Sequence, residues 1–139
     1  MVDPRGPRFA AAVTVVVLAA AIITGSPWVL LAQAAVFAVG SLAGIRHAPY
    51  GLVFRYLIRP RLGPPAEMEA EAPPRFAQTV GLMFTLVGAV GLLAGVPALG
   101  YTLAAFAFVA AFLNAVFGLC LGCRMYLVLR SITAKGVRA

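Results

Sequence analysis

Cys120 and Cys123, with Leu121 and Gly122 between them, are the two cysteines of this 139-residue chain. On a helix a spacing of three puts both sulfurs on one face, with Cα atoms about 5 to 5.5 Å apart and within disulfide range. The thiolate is the reactive form, so its surroundings decide what the pair does. If the last apolar helix runs through the pair, the thiols sit in a C-terminal turn whose partial negative charge opposes ionisation, and Arg124 is the counterweight for an anionic sulfur. If the chain breaks at Gly122, Cys123 starts a new helix and its thiolate is favoured. The bland alternative is two small apolar side chains that only pack. A zinc site lacks ligands, because the two cysteines and the single histidine, His47, make three at most where four are needed; no metal or cofactor is expected. The sequence has no catalytic triad, phosphate loop or embedded carboxylate, so the reading leans away from a conventional enzyme.

The elements that must position this pair are apolar. Hydrophobic residues make up 63% of the chain and charged residues 11%, and mean hydropathy is +0.99, which is membrane composition. Four uncharged runs are legible: 9–24, 27–45, 76–95 and 99–122. The first covers only about 25 Å at 1.5 Å per residue, a little under a hydrocarbon core of about 30 Å. Gly25, Ser26 and Pro27 separate the first two runs, and Val96, Pro97 and Ala98 the last two. Neither bend carries charge. The eleven Lys and Arg residues and the four acids fall instead into the N-terminus, the middle and the C-terminus. Positive charge is retained in the cytoplasm, so the expected topology is four transmembrane helices of a multi-pass plasma-membrane protein with both termini cytoplasmic. That explains a pI near 10.5 without nucleic acid, for which no basic patch with interleaved aromatics stands apart from a membrane segment. A cleaved signal peptide is the competing reading of the first run, but the next apolar run follows at once.

The polar connection from Arg46 to Arg75 begins with YGLVFRYLIR, which suits a helix in the headgroup layer ended by Pro60, Pro64 and Pro65. Glu67, Glu69 and Glu71 read as a solvated loop. Arg55, Arg59, Arg61 and Arg130 form the expected surface for anionic lipid or an acidic partner. An internal repeat organises the single domain 1–139: Pro7-Arg8-Phe9-Ala10 recurs as Pro74-Arg75-Phe76-Ala77, and FRYLIR at 54–59 is answered by MYLVLR at 125–130. Hairpin repeat 1 spans about 7–60, the polar loop about 60–73 and hairpin repeat 2 about 74–131, with interfacial helices after helices 2 and 4. Gly40-x-x-x-Gly44, Gly118-x-x-x-Gly122 and the Gly81, Thr85, Gly88 series mark close helix packing within the chain in preference to a homo-oligomer interface. Gln33 and Asn114, costly against lipid, should point into the bundle.

The ending FGLCLGCRMYL (117–127) and the PRFAQ segment (74–78), together with VDPRGPRFAAAV (2–13), APYG (48–51) and RPRLGPP (59–65), resemble an actinobacterial family of small four-helix membrane proteins of unknown function. The ending also looks like the two-helix membrane domains attached to some rhodaneses, although those have proline where Arg124 follows Cys123. Members of the four-helix family are often encoded beside a thioredoxin-like protein and a thiosulfate sulfurtransferase. The resemblance therefore implies thiol or sulfur metabolism, carried here by Cys120 and Cys123. The expected function is a sulfur or thiol relay at the inner membrane face, in partnership with such a protein. A passive membrane scaffold and a small sulfur-anion transporter are the alternatives.

Overall fold

The computed structural model describes residues 5–63, 68 and 72–138, the last four by backbone alone. The Glu67, Glu69 and Glu71 cluster lies outside the described residues. Every described element is helical. Helix α1 is Arg5–Thr24 and α2 is Pro27–Ala38, which runs on through a π turn, Val39–Ala43. Ser26 caps α2 by accepting the Val29 N–H at 3.4 Å, and Pro27 occupies the first turn, where a missing N–H costs nothing.

After Gly44 come a single 3-10 turn, Ile45–His47, then α3, Pro49–Val53, a π turn, Phe54–Ile58, and α4, Arg59–Leu62. Pro60 does not end this segment, because it lies in the first turn of α4; Gly63, at φ 80°, ends it. The two long helices α5, Ala72–Leu93, and α6, Pro97–Phe117, follow, and α7 is Leu121–Arg138.

Helices α1, α2, α5 and α6 share one core of Leu18, Ala21, Leu30, Ala89, Ala104 and Ala107. Four of these six are alanine, which lets the helix axes approach where no water-driven force distinguishes lipid from leucine. The ends are fixed by contacts. Gly25 sits against the Tyr101 hydroxyl, while at the other extreme Arg8 donates to the Ala115 and Val116 carbonyls, both at 3.3 Å. Likewise Gly91 lies on Leu99 and Gly100, while Arg75 donates to the carbonyls of Ser41 at 2.7 Å and Leu42 at 3.1 Å. All four elements therefore run between the same two ends. Arg5, Arg8, Arg46, Arg55, Arg59 and Arg75 gather at one of them.

Three helices, α1, α5 and α6, are long and apolar enough to cross a membrane, and the Pro27–Ala43 segment is apolar but shorter. Val16, Ile23, Met83, Val90, Phe106 and Phe117 are exposed on the outside of the bundle. A water-soluble domain does not present such a belt, and a bilayer covers it.

Candidate functional site

The fourth apolar helix stops at Phe117, earlier than Gly122. Gly118 adopts the left-handed conformation (φ 68°, ψ 17°), its N–H bonds to Asn114 O at 3.0 Å, and the Leu119 N–H reaches back to Leu113 O at 3.2 Å. This is a Schellman ending, which needs a residue that tolerates positive φ. Arg8 covers the carbonyls left over and packs beside Gly118. Neither position expected for the cysteines is realised: the pair lies beyond α6, and the break precedes both.

Cys120 stands directly before α7, in the capping position, and its Sγ accepts the Cys123 N–H at 3.2 Å. The structure joins the two as a disulfide with Cα atoms 5.2 Å apart. When the bond is open, the Cys123 N–H and the positive end of the α7 dipole lie at the Cys120 sulfur and favour its thiolate. Both side chains are half-buried. Gly122 lets α7 lie on α5, since a Cβ there would stand 2.6 Å from Ala77 Cβ. The Phe76 and Tyr126 rings, with centroids 5.7 Å apart, fasten the same contact.

Arg124 is exposed on the first turn of α7, its backbone N–H bonded to Cys120 O at 3.0 Å. His47 is exposed on the 3-10 turn after α2. Among the described residues no group of three or more His, Cys, Asp or Glu could hold a metal ion. Of the expected surface arginines, Arg61 and Arg130 are exposed, while Arg55 and Arg59 are half-buried. Arg55 donates to Arg46 O at 2.9 Å and lies over the Tyr56 ring at 5.3 Å.

Inside the bundle Gln33 is 0% exposed. It donates to Thr14 Oγ1 at 3.5 Å and accepts the Tyr50 hydroxyl at 2.8 Å. Burial raises the Tyr50 pKa above its ordinary 10.0, so this phenol remains a donor. Asn114 is half-buried on α6. Both amides and Tyr50 line a cavity of about 610 Å³ between the two hairpins, whose wall is mostly apolar and includes Cys120.

Two residues important here escaped the reading of types and spacing. Arg8 does so because a charge at a membrane edge has a sufficient explanation in topology; the repeated Pro-Arg-Phe-Ala was the available signal. Tyr50 does so because the fold of the 46–62 segment back onto the bundle leaves no periodic mark.

An all-α membrane protein with a C-x-x-C disulfide at a helix start is the class that fold and site define. Residues 2–131 match the family described as "Domain of unknown function (DUF4395)", and the chain belongs to that family. Comparison with curated proteins and with solved structures found no match.

Proposed function

We propose that this protein is a membrane-embedded thiol relay, in which Cys120 and Cys123 exchange a disulfide with, or take a sulfane sulfur from, a thioredoxin-like or rhodanese-type protein in the cytoplasm. The observation that carries the reading is the place of Cys120: it caps α7, with its sulfur on the Cys123 N–H, at the end of the bundle where the arginines gather. In exchange, a partner thiolate attacks the Cys120–Cys123 bond and forms a mixed disulfide, from which the partner's second thiol then displaces this protein's cysteine as a thiolate. The pair is left as a dithiol and the partner as a disulfide. In sulfur transfer, the Cys120 thiolate attacks the outer sulfur of the partner's persulfide, giving a persulfide on Cys120 and a thiolate on the partner. Arg124 stabilises the anionic sulfur, and Arg55, Arg59, Arg61 and Arg130 meet anionic lipid or an acidic partner.

The reading places four crossings in the plasma membrane with both termini inside, since α2 and its π turn extend between the same two ends as the longer helices and positive charge favours the cytoplasm. The hairpin repeat (about 7–60 and 74–131) has support in paired contacts. Arg8 and Arg75, equivalent in the two copies of Pro-Arg-Phe-Ala, each bond the last carbonyls of the other hairpin's second helix. Phe9 packs on Phe54 as Phe76 packs on Tyr126. The mostly apolar cavity offers a poor route for a sulfur anion, which disfavours the transporter alternative.

The test is Cys120→Ser together with Cys123→Ser in vesicles supplied with a sulfurtransferase and its sulfane donor. Sulfane-sulfur transfer and thiol exchange should both fall to background. Undiminished transfer would remove the relay.

A further inference from the structure

The cavity between the hairpins has the content of a ligand site. Its volume is about 610 Å³, inside the range of about 300 to 1,000 Å³ common for small-molecule pockets. Apolar side chains from all four core helices dominate the wall, among them Phe37, Phe84 and Ala110. Two wall residues, Phe106 and Val109, are 59% and 51% exposed, so the cavity borders the apolar outer surface of α6. A ligand dissolved in the hydrocarbon reaches it laterally, without passing through water.

The polar part of the wall is small and placed toward one end. Gln33 is committed to Thr14 and Tyr50, and Asn114 and Gln78 add two further amides to the wall. Cys120 completes that end, and Cys123 is not part of the wall. An apolar chamber bordered by lipid, with amide donors beside one sulfur of a redox pair, matches a lipid-soluble molecule whose polar head carries carbonyl oxygens and accepts electrons.

We propose that the cavity binds a membrane quinone, which oxidises the reduced Cys120–Cys123 pair. The inference rests on the relay reading and names the second partner of the same cysteines. The Asn114 and Gln78 amides hydrogen-bond the quinone oxygens while the isoprenoid or alkyl tail lies along Phe84 and Phe106. In the reaction the two thiols lose two electrons and two protons, the Cys120–Cys123 S–S bond forms, and the quinone takes up both electrons and both protons to leave as quinol. The aqueous partner's dithiol then reopens the disulfide and becomes a disulfide itself. The sum is oxidation of a dithiol protein by quinone, with the membrane protein returned unchanged. Attack by the aqueous partner and reaction with the quinone use the two ends of one bond: Cys120 lines the chamber, together with Leu121, Gly122 and Met125 of α7, while Cys123 is not part of the wall.

The experiment uses the full chain reconstituted in liposomes, reduced and freed of reductant, with decyl-ubiquinone or a short-chain menaquinone as probe. One arm follows quinone absorbance in a single turnover. The expected result is one quinol formed per protein as the pair closes, with Ala110→Phe slowing the step at least tenfold by filling the chamber. A second arm, for the case in which Ala110→Phe does not fold, uses alkylation by maleimide. A non-reducible quinol analogue should slow labelling of Cys120 in Cys123→Ser by tenfold or more and leave labelling of Cys123 in Cys120→Ser within twofold. A third arm measures disulfide exchange of the oxidised wild type with reduced thioredoxin. Exchange with thioredoxin but neither quinone reduction nor selective protection overturns the quinone site and leaves the relay standing. Absence of exchange overturns the disulfide-exchange branch of the relay, and with it the quinone cycle that this branch must feed.

Discussion

Cysteine 120 acquires its chemistry from a position, and the same atom one helical turn earlier would face a different field. Before α7 its sulfur meets the Cys123 N–H and a positive dipole end; inside the last turn of α6 it would meet carbonyls. The difference is worth about 0.3 to 1 kcal/mol at each exposed helix end. In the reduced protein we therefore expect Cys120 in Cys123→Ser to be alkylated by iodoacetamide at pH 7 about two to five times faster than Cys123 in Cys120→Ser. The opposite ranking would show that the cap does not govern reactivity. Tyr50 is a second residue whose surroundings define it. Tyr50→Phe leaves the Gln33 carbonyl oxygen buried with one partner fewer, at a cost of about 1 kcal/mol, readable in a denaturant titration in detergent. Because burial raises the folded-state pKa, the Tyr50 contribution is fully present below pH 10, the unfolded value, and is lost as pH climbs through the raised folded value. Wild type and Tyr50→Phe should thus converge in stability only in strong alkali.

Helix α7 is held by an approach that glycine alone permits. A methyl group at Gly122 would stand 2.6 Å from Ala77 Cβ and 2.7 Å from its Cα, so α7 must move off α5 to admit it. Gly122→Ala is expected to loosen the Phe76 and Tyr126 ring contact and to expose the cysteines. The measurement is the rate of maleimide labelling after reduction, which should rise severalfold and return toward wild type in Gly122→Ala with Ala77→Gly. Failure of the second change to restore the rate would show that the contact does not hold α7. Gly118 acts on the same helix differently: its left-handed backbone turns the chain out of α6, so that α7 leaves along the bundle end instead of continuing the span. Leu127, Val128 and Ile132, which α7 leaves exposed, fit the apolar side of a headgroup layer.

At the scale of the whole molecule the question is how many times the chain crosses. Four crossings put Ser26 and Val96 on one side and Ala139 on the other; with α2 re-entrant and three crossings, Ser26 and Val96 would part company. Single cysteines at 26 and 96 in the Cys120→Ser, Cys123→Ser background, probed with a membrane-impermeant maleimide on intact cells, should both label. A reporter fused after Ala139 should be active only inside. Labelling at one of the two bends alone would leave α2 as a hairpin that does not cross. The pairing of Arg8 with the end of α6 and of Arg75 with the end of α2 ties the two hairpins together at the charged end, which makes that end the rigid frame on which the cysteine pair is mounted.

Composition and charge placement alone determined an all-helical membrane protein with uncharged bends, because a bilayer admits few other solutions for long apolar runs. The amides at Gln33 and Asn114 were legible as interior groups for the same reason: lipid penalises them. The cysteine pair was legible as chemistry from residue type and spacing. What its sulfurs face was not. Gly118 and Gly122 can each end a helix, and the choice fell to Gly118 because Arg8, 107 and 108 residues from the Ala115 and Val116 carbonyls, covers the groups that an ending there leaves bare, while Gly122 is occupied in admitting Ala77. The apolar chamber behind Cys120 likewise exists only once the four core helices, α7 and the Tyr50 segment have come together around it. Bilayer solvation acts on each segment separately and can be read along the chain; a helix ending and a cavity depend on contacts between segments distant in sequence, and those the tertiary structure alone decides.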